Sequence, residues 1–303
     1  MRHTTPSGWP NGWSEGRISF PELEPPVEHG DASPIHRQVQ MPIRALRGVV
    51  LGTGFIVACH QPPAPARVGV PQDGLAVLAR MHARYSDSWY RTLTFTQRTV
   101  QRRPDGTEQV STWYEAQSGD RLRIDMGNPA EGNGALYTAD SLYVVRGGKV
   151  VRAVADGNPF LPLISGVYLQ PLDVTVRQLA PYKVNLNAAY TRDWEGRRTF
   201  VVGARAAADS TSPQIWVDAD RLIVTRFIMP LFPSPDGRNQ DVRLENNVEV
   251  GGGWLATRIR MLDKGVPMQT EDYSNWRTGV SLPASFFQTE TWTRDPHWYR
   301  PAP

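Results

Sequence analysis

The chain of 303 residues holds a single cysteine, Cys59, and six histidines, of which only His82 and His297 lie beyond residue 60. A Ser–His–Asp relay needs a histidine held between a nucleophile and a carboxylate. A zinc site needs several nitrogen or sulfur ligands. Two histidines leave little material for either. No G-x-S-x-G elbow, phosphate-binding P-loop or G-x-G-x-x-G fingerprint occurs. Asp218 and Asp220 stand close in sequence, but across a turn, where they read as solvated carboxylates rather than a paired acid and base. Arg98, Arg102 and Arg103, beside Pro104, read as an exposed strand end; contact with an anionic lipid headgroup is the sharper alternative. The inventory predicts no enzyme, no metal and no cofactor.

Composition narrows the partners. Lys+Arg number 33 and Asp+Glu 30, a formal charge of +3 that is too weak a field to argue for nucleic acid. One cysteine excludes a disulfide framework. An apolar share of 40% suffices for a core, and 26 Gly, 26 Pro, 10 Trp, 10 Tyr and 9 Phe suit a β-rich chain with many turns.

The position of that one cysteine is informative. Met41 to Cys59 reads MPIRALRGVVLGTGFIVAC. Arg44 and Arg47 supply a positive segment, Gly48 to Val57 an apolar one, and Ile56-Val57-Ala58 brings small or aliphatic residues directly before Cys59. This is the architecture of a secretory signal. The apolar run is about half of the roughly 20 residues that span a bilayer. The ending is similar to the lipobox of bacterial lipoproteins, whose cysteine is acylated and becomes the mature N-terminus. Residues 1–40 then read as an upstream leader outside the mature protein, with Met41 the better initiator, and residues 41–58 as the signal peptide. Residues 59–70 are a Pro-rich tether that favours extended conformations. Lipidated Cys59 would anchor the chain in the cell envelope facing the periplasm. His60 in place of Asp after the cysteine favours the outer membrane over the inner.

Residues 71–290 read as one domain. Asp73 is a plausible N-cap, and Leu75, Leu78, Met81 and Tyr85 recur at helical spacing to about Tyr85, with His82 on the rim. From Trp89 the period changes to two, with Leu93 and Phe95 alternating with threonines. Further strands are expected over 110–115, 121–126, 142–145, 150–154, 199–203, 214–218, 222–228, 242–250, 254–262 and 268–276. Turn signals separate them, among them Gly119-Asp120, Asn133-Gly134, Gly147-Gly148, Gly251-Gly252-Gly253 and Asp263-Lys264-Gly265. An apolar, Pro-containing segment (157–170) and a short helix (172–180) interrupt the strands. The tail, residues 291–303, is expected to pack loosely. About ten antiparallel strands must curl or be covered to bury their apolar face. The expected fold is therefore mainly β with some α, a strongly curved antiparallel sheet or open half-barrel with a helical lid.

This order of elements, with Phe95-Thr96-Gln97, Leu122-Arg123-Ile124-Asp125, Asn158-Pro159-Phe160-Leu161, Trp216-Val217-Asp218 and Leu282-Pro283 before Phe286, resembles the LolA/LolB family of lipoprotein carriers. The family's soluble carrier lacks a lipobox, and its anchored acceptor has one, as here. The resemblance implies a hydrophobic cavity for lipid or lipoprotein acyl chains. Its lining would be Leu75, Leu78, Met81, Leu93, Phe95, Tyr114, Leu122, Ile124, Leu142 and Phe227, with Arg123 in the place of an arginine that latches the lid. From the residues alone, a filled core fits the same positions. The function that follows is a monomeric, membrane-anchored lipid-binding protein of the bacterial envelope, acting in lipoprotein sorting or lipid transfer. The alternative is an envelope-stress sensor of the same fold that binds a protein partner.

Overall fold

The computed structural model describes residues 71–294 apart from 72, 104 and 232–238. The leader, signal and tether, with Cys59 and His60, and the last residues with His297 lie outside the described part.

Helix α1 (Gly74–Tyr85) begins where the sequence sets it: the Asp73 carboxylate accepts the Ala76 N–H at 2.8 Å, which satisfies one of the free donors of the first turn. Its buried face is Gly74, Val77, Leu78, Met81 and Tyr85. Leu75 is 44% exposed, so the inward placement expected for it is corrected. At about 100° per residue it lies to the side of the stripe that starts at Gly74.

Thirteen strands follow, joined in a single sheet: β1 (Thr92–Arg102), β2 (Glu108–Ser118), β3 (Arg121–Met126), β4 (Gly134–Tyr137), β5 (Leu142–Arg146), β6 (Lys149–Val154), β7 (Ala189–Trp194), β8 (Arg197–Val202), β9 (Gln214–Asp218), β10 (Val224–Met229), β11 (Gln240–Val250), β12 (Gly253–Asp263) and β13 (Val266–Thr278). Their order is β6-β5-β4-β3-β2-β1-β13-β12-β11-β10-β9-β8-β7. Two antiparallel meanders thus meet where β1 pairs with β13, and β6 and β7 are the two edges. The sheet is open.

The chain crosses from one edge to the other between β6 and β7 through a π-helical turn (Pro162–Gly166) continuous with α2 (Val167–Leu169), then α3 (Leu172–Leu179). Leu163, Val167, Tyr168 and Leu179 of this crossing share one buried cluster with Val77, Leu78 and Met81 of α1, Leu93 and Phe95 of β1, and inward residues of β8–β12 such as Phe200, Val217, Phe227 and Ile259. At one end Leu186 accepts the Gly74 N–H at 2.9 Å, beside β8. At the other, Asn158, Leu161 and Pro162 line a cleft with Asp120 and Thr138 of the first meander. One helical segment therefore touches both halves, and the sheet curves around it.

Strand pairing fixes the faces, because directly opposed residues point the same way. Leu93, Phe95, Gln97 and Thr99 share the inner face with Trp113, Glu115 and Gln117 of β2, Leu122, Ile124 and Met126 of β3, and Leu142 of β5. Tyr114 and Arg123 share the outer face with Asp125, Leu136, Tyr143 and Val145. The outer face of this half is covered by two short 3-10 turns, Ala284–Phe287 and Thr289–Thr291, whose Phe286, Phe287 and the following Trp292 pack on Ala116, Leu136 and Val145.

Candidate functional site

Apart from exposed Leu75, the lining residues expected from the sequence separate into three places. Leu78, Met81, Leu93, Phe95 and Phe227 belong to the helix-packed cluster. Leu122, Ile124 and Leu142 continue the same inner face across β3 and β5, joined there by Trp113, Met126 and Ala135, all buried. Tyr114 is half-buried and on the opposite face. The expectation for it is corrected by register: Gln97 opposes Trp113, so the neighbour Trp113 takes the inward position.

Arg123 is likewise corrected. Its neighbours Leu122 and Ile124 point inward, so its own side chain must point outward, away from α1. There it is fully buried. Its Nε and Nη2 donate to the two carboxylate oxygens of Asp125 at 2.9 Å each, Nη1 donates to the Phe286 carbonyl at 3.0 Å and Nη2 to the Trp292 carbonyl at 2.7 Å. The guanidinium also lies 4.2 Å from the Phe286 ring centroid and 4.0 Å from that of Trp292. A bidentate ion pair sandwiched between aromatic rings holds the C-terminal segment to the sheet. Arg123 is a latch for that segment and not for a helical lid, and Trp292 is firmly packed rather than loose. Gly134, expected in a turn, begins β4 instead. A Cβ there would come within 2.6 Å of the Trp292 ring and 2.0 Å of the Ile124 carbonyl oxygen, so the residue serves close packing.

Asp218 is not the solvated carboxylate expected. It is buried, pairs with Arg197, and accepts the N–H groups of Asp220 at 3.0 Å and Arg221 at 2.9 Å. It shapes a turn whose Arg221 carbonyl accepts the Tyr85 hydroxyl at 2.6 Å. His82 lies at the rim, its Nδ1 3.1 Å from the Val167 carbonyl. No group of three or more metal-ligating side chains occurs among the described residues.

The apolar inner face has a polar interruption that sequence reasoning passed over. Gln97 on β1, Glu115 on β2, and Glu271 and Tyr273 on β13 all point inward, Gln97 opposing Tyr273 and Thr99 opposing Glu271. Glu271 accepts the Tyr273 hydroxyl at 2.7 Å and the Gln269 amide at 2.5 Å. Burial, reinforced by the nearby Glu271 charge, pushes the Glu115 carboxyl well above the ordinary carboxylate range. Burial raises Glu271 as well, against the hydrogen bonds from Tyr273, Gln269 and Gln97. The signal was present in strand parity: Glu115 stands two residues from Trp113 and Gln97 two from Phe95.

No protein-family model matches this sequence, and no curated protein sequence matches it. Solved structures similar to the chain include a DUF1329 family protein from Desulfovibrio piger (16% identity, 71% of this chain and 95% of that one, TM-score 0.48). A putative outer membrane lipoprotein-sorting protein domain from Vibrio parahaemolyticus is similar at 11% identity over 73% of this chain and 98% of the other, TM-score 0.46. So is a LolA superfamily protein from Nitrosomonas europaea, at 16% identity over 71% and 97%, TM-score 0.43.

Proposed function

We propose that the protein is a lipid-anchored envelope protein that holds acyl chains of a lipid or lipoprotein against the inner face of β1–β5. One observation carries this reading. Trp113, Leu122, Ile124, Met126, Ala135 and Leu142 extend an apolar surface from Leu93 and Phe95 beyond the strands that share the helix-packed cluster. Such a surface takes an alkyl chain by burial alone, at about 0.8 kcal/mol per CH₂. Anchoring through acylated Cys59 and handing cargo on in lipoprotein sorting or lipid transfer belong to the same proposal.

A second reading, a sensor that binds a protein partner, is favoured by edge strand β6. It leaves Val150 and Val151 exposed beside a strand edge that has no pair among the described residues and that a partner strand can extend. Native mass spectrometry of protein purified without added lipid separates the two. Bound species with acyl-chain masses are the expected result. Ligand-free protein that also fails to bind a fluorescent fatty acid would overturn the lipid reading, and a stoichiometric protein complex would then favour the second.

A further inference from the structure

Three members of the polar interruption of the inner face, Gln97, Glu115 and Glu271, supply acceptors to it. Gln97, Glu115 and Glu271 are 1%, 5% and 6% exposed. The Gln97 amide donates through Nε2 to Thr99 Oγ1 at 2.8 Å, and its N–H₂ edge also serves Glu271, which fixes Oε1 as the free end. That Oε1 has no hydrogen-bond partner among the described residues. No donor reaches the Glu115 carboxyl among the described residues, and the charge acting on it is the like charge of Glu271. Glu271 has spent three of its roughly four acceptor positions on Tyr273, Gln269 and Gln97. Neither acid is paired with a cation among the described residues. Buried acceptors are normally satisfied, and a buried carboxylate is normally paired. Here the unmet acceptors converge on the surface proposed for acyl chains, Gln97 lying diagonal to both Glu115 and Glu271 across neighbouring strands.

We infer that this triad of Glu115, Gln97 and Glu271 seats the polar end of the ligand, and that this end carries a primary ammonium. The inference rests on the acyl-binding reading of the face and names the class of amphiphile it selects. An ammonium brings three donors and one positive charge. It can donate to the free Gln97 Oε1 and to the carboxyls, and its charge offsets the burial and the Glu271 repulsion that favour the protonated Glu115 carboxyl. An anionic headgroup would meet two carboxyls and no cation. A neutral alcohol would satisfy a single acceptor.

The test uses three probes of equal chain length, dodecylamine, dodecanol and dodecanoate, each displacing a fluorescent acyl reporter from the full chain at neutral pH. Dodecylamine is expected to bind about 10-fold or more tightly than dodecanol, a gap of about 1.4 kcal/mol, with dodecanoate the weakest. Glu115→Gln, Glu271→Gln and the double variant keep the size of the side chains and should hold their melting temperatures, while the preference for the amine shrinks and dodecanol affinity stays. If any one of the three variants folds, it suffices for the comparison. Equal affinity for amine and alcohol, or a preference untouched in the folded variants, overturns the inference and leaves the acyl-binding reading standing. Failure of all three probes to displace the reporter overturns both.

Discussion

The guanidinium of Arg123 and the carboxyl of Glu115 are both buried on the same half of the sheet, and their partners decide opposite consequences. Arg123 places four of its five N–H donors on Asp125 and two carbonyls and lies between two rings. Removing it takes the bidentate guanidinium from buried Asp125 and the donors from the Phe286 and Trp292 carbonyls, so Arg123→Ala is expected to cost about 3–5 kcal/mol, read by urea denaturation. An effect below about 1 kcal/mol, the range of an exposed pair, would show that the latch is not formed. Glu115 is the reverse case. Its folded-state pKa lies above the ordinary 4.5, so the folded chain holds a proton that the unfolded chain releases. Its stability contribution is complete below that value and is lost as pH rises through the folded pKa. Glu271 and Tyr273 from β13 and Tyr137 from β4 are the titratable groups that act with it. In melting curves across pH, the gap between Glu115→Gln and the parent should be small near pH 4 and widen in favour of the variant on going to pH 8. A gap that stays constant with pH would mean Glu115 keeps its ordinary pKa.

Among the elements, those with a strong local period were legible. α1 begins after its Asp73 cap and ends at Tyr85, and β3 and β9 have the bounds expected from alternation and flanking turns. β4 and β7 escaped notice for different reasons. β4 is four residues long and opens with a glycine that reads as a turn. β7, Ala-Tyr-Thr-Arg-Asp-Trp, has only half-buried and exposed residues and so no apolar alternation. The sequence pattern puts Leu222 in a strand, but it adopts φ 55 in the turn built on Asp218, a conformation no local pattern gives for leucine. Parity was the weak point for the site: Tyr114 and Arg123 are each one residue from an inward position. The pairing of β1 with β13 joins segments far apart in sequence and could not be read from either. The packing now divides the inner face, and substitutions can test that division. Leu78 of α1 and Leu93 of β1 belong to the helix-packed cluster, so Leu78→Phe or Leu93→Trp should overpack and cost about 1–3 kcal/mol. Ile124→Phe, beyond the helix-packed cluster, should change the melting temperature little and weaken binding of a fluorescent fatty acid. Equal destabilisation at Ile124 would mean that β3 is as tightly filled as the helix-packed half.

At the scale of the molecule, the seam between β1 and β13 joins two meanders with different covers. The second, β7–β13, holds the helices against its inner face; the first, β1–β6, has its outer face closed by the C-terminal turns and its inner face proposed for the ligand. The anchor belongs to this scale as well. If Cys59 carries acyl chains, Cys59→Ala should move the protein from the carbonate-washed membrane fraction to the soluble one; retention on washed membranes would remove the anchor from the proposal. The division between the meanders predicts where ligand energy appears. A ligand that binds only the folded protein raises its stability by mass action, but amides that open locally respond to contacts made nearby. An alkyl chain laid on Leu122, Ile124 and Leu142 should therefore slow hydrogen exchange most in β2–β5, with β9–β11, already packed against α1 and the edge-to-edge crossing, changing least. The measurement is exchange mass spectrometry of the delipidated chain with and without saturating dodecanol, read on peptides from each meander. Protection concentrated in β9–β11 would place the ligand between the helices and their sheet and would displace the site from the first meander. Uniform protection would mean that the sheet opens as one unit, with the two meanders coupled through β1 and β13 more tightly than their separate covers imply.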